Sequence, residues 1–139
     1  MFHSYDLAFQ NELNKLHDDL ADNLQILPSL SKQISSKALK FLLELACQCQ
    51  SSRNIQLGRD GLKSIPRSWL LSNIDREAQL LLNMDDEWEY RRLAEIYFEL
   101  DLDMAKNLAQ LGLESKNEEV VEAAEDLVDW ITEFGEANE

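Results

Sequence analysis

The sequence predicts an all-α protein of about seven short antiparallel helices, and three observations carry that expectation. Apolar residues recur at steps of three and four in one segment after another, the spacing that lines one face of a helix. Only 4 Gly and 2 Pro occur in 139 residues, too few turn formers for a many-stranded fold that must reverse about every ten residues. Finally, 45% of the residues are apolar, enough to bury a core even though 27 acids stand against 13 bases. The length is that of one domain, so the expected organisation is a single helical domain over 1–134 and a flexible acidic tail over 135–139.

The first stripe runs Phe9, Leu13, Leu16, Leu20, Leu24, Leu27 and predicts one long helix ending near Pro28. Residues 36–50 are apolar on most faces, as in a helix surrounded by others. A third helix over 54–64 contains Gly58 and Gly61, which would let a neighbour approach closely at some cost in helix propensity. Pro66 opens a fourth, with Leu70, Ile74, Ala78, Leu81 and Leu82 facing inward. Asn83 to Glu87 supplies a cap and first-turn acids for a fifth, whose expected core is Trp88, Leu93, Ile96, Tyr97 and Leu100. After the break at 101–103, Met104, Leu108 and Leu111 form a sixth that closes at Gly112. Asn117 caps a seventh, with Val120, Val121, Ala124, Leu127, Val128 and Ile131 inward and a row of acids outward. Short connections leave two arrangements, a closed bundle or a stack of helical hairpins.

The string Asn117 to Leu127 is similar to the second helix of HEAT-like repeats, and the stretches Asn54 to Pro66 and Asp86 to Tyr97 resemble helices of bacterial proteins carrying them. The resemblance covers roughly residues 36–134 and departs from the repeat pattern at Glu122, where Arg is usual. It implies a fragment of an α–α superhelix that binds another protein, and it implies no catalytic residue.

Charge is unevenly distributed. Residues 1–30 sum to −4, residues 31–76 to +5 and residues 77–139 to −15. So negative a C-terminal segment disfavours nucleic acid, because phosphate binding depends on neutralisation by Lys and Arg. Arg53, Arg59, Lys63, Arg67 and Arg76 recur at helical spacings, either as a basic strip or as partners of the protein's own acids.

Candidate chemistry is sparse. His3 and His17 are the only histidines and lack companion ligands; Cys47 and Cys49 project about 200° apart on a helix and so cannot easily bond to each other, and in so apolar a helix they are expected to be buried inert thiols. Glu118, Glu119, Glu122, Glu125, Asp126 and Asp129 are similar to the carboxylate helix of divalent-metal nucleotide hydrolases, but no second helix supplies the matching carboxylates. No nucleophile elbow or phosphate loop occurs in the sequence. The expected function is therefore noncatalytic protein–protein interaction, without cofactor or metal, nucleic acid or membrane, in the cytoplasm. An acidic blocker of a basic partner, in the manner of immunity proteins or antitoxins, is the alternative, and a homodimer is open. Arg59 and Lys63 on one helix, with Tyr90, Arg91 and Phe98 on another, are the candidate binding residues.

Overall fold

The computed structural model describes residues 4–135 and is all-α, with no strand among the described residues. Seven α-helices follow one another: α1 (Ser4–Leu16), α2 (Lys32–Gln48), α3 (Ser52–Lys63), α4 (Arg67–Leu81), α5 (Glu87–Leu100), α6 (Leu102–Leu113) and α7 (Glu118–Trp130). They group into two compact units, Met1–Leu81 with α1–α4 and Leu82–Glu139 with α5–α7.

In the first unit, the expected long helix stops at Leu16 rather than near Pro28, and the chain continues as two 3₁₀ segments, Leu20–Asp22 and Leu24–Ser29. The cause lies in polar side chains that compete with the helical ladder. Asn14 Oδ1 accepts from Ala21 N at 3.0 Å, and Asn23 Nδ2 donates to Asp19 O at 2.9 Å. Between them Asp19 adopts φ 57°, a left-handed conformation that Asp tolerates better than most residues. The apolar stripe survives the change of conformation: Leu13, Leu20, Leu24 and Leu27 are all buried.

Ser31 caps α2 through its hydroxyl, which accepts from Ile34 N, so this helix begins four residues earlier than 36. α2 is the centre of the unit, with Leu39, Leu42, Leu43 and Ala46 fully buried. α3 lies against it at the two glycines. A Cβ on Gly58 would sit 2.6 Å from Ala46 N and 2.7 Å from Leu42 O, and one on Gly61 would sit 2.6 Å from Leu42 Cδ2. At Gly58, against backbone atoms, only hydrogen fits, as expected of a close approach, whereas at Gly61 the neighbour is the end of a side chain. α1 is fastened by a two-pronged bond from Arg53 to Asp6 (2.7 and 2.5 Å) and by Phe9 against Phe41, with ring centroids 6.1 Å apart.

α4 packs on α2 through Leu70, Ile74 and Ala78, and also through Glu77, a buried carboxylate. Ser36 Oγ donates to Glu77 Oε2 at 2.8 Å, Lys40 Nζ lies 3.8 Å from the same oxygen, and Arg76 Nε lies 3.6 Å from Oε1. A buried carboxylate needs such partners, since desolvation without them is costly.

Candidate functional site

The second unit is three helices, each packed on the other two. Its turns are built by acids and amides. Asp86 Oδ1 caps α5 by accepting from Glu89 N at 3.0 Å, Asp101 caps α6 by accepting from Met104 N, and Asn117 caps α7 by accepting from Glu119 N. Asn117 Nδ2 also donates to Asp85 O, and Ser115 Oγ to Asp85 Oδ1, which ties the α6–α7 turn to the start of α5.

Tyr90, expected as a binding residue, is 0% exposed. Its hydroxyl donates to Leu108 O at 2.7 Å, and burial pushes its pKa well above the ordinary value, so the donor proton is retained. The space for the ring comes from Gly112, which lies inside α6 instead of ending it; a Cβ there would strike the Tyr90 hydroxyl and meet Ala124 Cβ at 2.8 Å. The helix closes two residues later at Glu114. Arg91 reaches across to α7, with Nη1 3.0 Å from Asp126 Oδ2 and Nε 3.6 Å from Glu87 Oε1. Phe98 packs against Trp130 at 6.1 Å and an interplanar angle of 59°. The three α5 candidates thus hold α5 to its neighbours, and Tyr90 has no surface to offer a partner in this fold.

Trp88 behaves in the opposite way. Expected in the core, it is 65% exposed. The phase of α5 is set by Tyr90, Leu93, Ala94 and Tyr97, all buried, and Trp88 lies two residues before Tyr90, about 200° around the helix. The i, i+7 tyrosine pair contained this information. On α7 the core positions are Val120, Ala123, Ala124 and Leu127, with Ile131 buried just beyond its end, whereas of the residues expected inward Val121 is half-buried and Val128 is 38% exposed. Glu118, Glu119, Glu122, Glu125 and Asp129 are exposed. Among the described residues no group of three or more His, Cys, Asp or Glu is placed to hold a metal ion.

In the first unit, Arg59 is half-buried and Lys63 exposed, one turn apart on α3. Of the other bases in the expected strip, Arg53 pairs with Asp6 and Arg76 with Glu77. Cys47 is buried and Cys49 half-buried. His17 Nδ1 lies 3.1 Å from Asp18 O, and His3 lies outside the described residues. Gly135, expected in the frayed tail, is buried in a π-helical turn, Ile131–Gly135, where a Cβ would meet Leu102 Cδ2 at 2.8 Å. The rest of that tail, 136–139, lies outside the described residues.

The boundary between the units is also a boundary of charge. The segment Met1–Leu81 holds nine acids and nine bases and is formally neutral; Leu82–Glu139 holds eighteen acids and four bases and carries the entire −14. No helix among the described residues is long and apolar enough to cross a membrane. Comparison with protein-family models, curated proteins and solved structures returns no match.

Proposed function

We propose that this chain is a noncatalytic protein–protein interaction module whose acidic unit, α5–α7, docks a basic protein. The observation that carries the reading is the partition of charge: one compact unit has none in sum and the other has all of it. A field concentrated on one unit steers and orients a cationic partner and repels phosphate-bearing ones, whereas the same charge spread evenly would serve solubility alone. The exposed Trp88 adds an aromatic of the kind that anchors interfaces. On this reading the HEAT-like arrangement of hairpins is the scaffold, the cytoplasm is the setting, and blocking of a basic surface is the mode of action.

The test is capture of partners by the full chain from native lysate at low salt and at about 1 M salt, where the screening length falls to about 3 Å. Partners that are basic and released by salt support the reading. A partner retained unchanged at high salt argues against an electrostatic mode, and turnover of a nucleotide with Mg²⁺ or Mn²⁺ would replace it with an enzyme.

A further inference from the structure

Helix α7 presents a second stripe beside the one that fills the core. Positions 118, 121, 125 and 128 follow one another in steps of three and four along α7 and so share one face, and Thr132 continues the spacing in the π-helical turn after it. They read Glu118, Val121, Glu125, Val128 and Thr132, with Val121 half-buried and the other four exposed. Exposed Glu122 and Asp129 run alongside. The interior of the unit is filled by other residues, Val120, Ala123, Ala124 and Leu127 of α7 and Ile131 just after it. Val128, 38% exposed, and the open part of Val121 leave apolar surface wet, and β-branched valines lower helix propensity slightly.

We propose that this stripe is a docking face for a cationic amphipathic helix of another protein. The inference rests on the reading of the acidic unit as a module that binds a basic partner, and it names the face and the chemistry of the occupant. The two valines are two turns apart, about 10.5 Å at 1.5 Å per residue, and the carboxylates of Glu118 and Glu125 alternate with them at the same interval. That pattern complements a helix bearing apolar residues at i and i+7 with Lys or Arg between them, the arrangement in which helices read one another along a face. Charge decides the sign of the partner. Eighteen acids face four bases in this unit, and one of the four, Arg91, is held by Asp126 and Glu87. Lys and Arg supplied from outside complement that field, whereas a nucleic acid or an anionic lipid surface meets like charge.

The experiment uses the isotopically labelled full chain and two synthetic peptides of about 18 residues, five helical turns. Both contain only Lys and Leu in the same proportion; one is arranged as an amphipathic helix and the other is scrambled to remove the apolar face. The amphipathic peptide is expected to bind about tenfold more tightly, with amide shift changes concentrated in residues 118–132, and the double variant Val121→Ser, Val128→Ser to lose that preference. The variant Glu118→Gln, Glu125→Gln, at exposed sites that do not enter the core, should weaken both peptides. Equal affinity of the two peptides, or insensitivity to both pairs of substitutions, overturns the proposed face. If binding is then lost on Trp88→Ala with shifts elsewhere in 82–135, the acidic-module reading stands without this face. If neither peptide binds at low salt, both fall.

Discussion

Replacing Gly58 by Ala isolates the physical basis of the α2–α3 packing. The added methyl would lie 2.6 Å from Ala46 N, 2.7 Å from Leu42 O and 3.0 Å from Leu45 Cβ. Two of these are backbone atoms in the middle of α2, so neither can rotate away, and α3 must retreat by several tenths of an ångström along a face where Leu42 and Ala46 are fully buried. Overpacking of a well-filled core costs about 1–3 kcal/mol, and backbone contacts place this substitution near the top of that range. Helix propensity returns about 1 kcal/mol on exchanging Gly for Ala, leaving a net loss of about 2 kcal/mol. Gly61→Ala is the internal comparison. Its methyl meets Leu42 Cδ2 at 2.6 Å but Leu24 Cδ1 only at 3.5 Å, and a side-chain end can move, so the net loss should stay below about 1 kcal/mol. Urea unfolding followed by far-UV circular dichroism, with hydrogen exchange reporting α2 and α3 separately, measures both. Stability equal to or above that of the native chain for Gly58→Ala, or a larger loss at Gly61 than at Gly58, would refute the close-approach argument.

Gly112→Ala should destabilise α5–α7 by about 2 kcal/mol, because the methyl meets the buried Tyr90 ring and Ala124; helix propensity alone predicts the opposite sign, so thermal unfolding separates the two accounts. Tyr90 has a folded pKa raised by burial above its ordinary 10.0, so its contribution is intact below pH 10 and is lost as pH rises beyond it. Tyr90→Phe should therefore flatten the alkaline limb of a stability-against-pH curve, and an unchanged limb would show that the phenol is not responsible. At Glu77, Ala leaves the Ser36 hydroxyl and the Lys40 and Arg76 charges without their acceptor and should cost about 2 kcal/mol, while Gln keeps an acceptor for Ser36 and should cost less; equal losses would mean the hydrogen bond is unimportant. Reversing Arg59 and Lys63 to Glu should leave binding of a cationic peptide to the acidic unit intact, as should reversing Lys32 and Lys37; selective loss with the first pair would place α3 in the binding surface.

Helical class and most helix starts could be read locally, because they depend on groups a few residues apart. Asn117 caps the helix that its spacing announces, whereas α5 is capped by Asp86, three residues after the expected Asn83, and Gly58 and Gly61 mark a close approach in a helix where nothing else calls for glycine. The concentration of charge after residue 76 was equally plain, being a property of composition. Other features needed the fold. The apolar stripe from Leu13 to Leu27 is continuous in sequence, yet Asn14, Asp19 and Asn23 turn it from α-helix into 3₁₀ segments that bury the same leucines. Trp88 is apolar and Glu77 charged, but Trp88 points outward and Glu77 inward, because the rotation of each helix is set by the larger set of residues it must bury against its neighbours. Gly112 looks like a helix end until Tyr90 of another helix is placed against it. The sequence by itself determines where helices can begin and which residues could be buried; which of these are buried, and against what, follows from packing among helices distant in the chain, where volume and hydrogen-bond satisfaction outweigh the preference of any single residue.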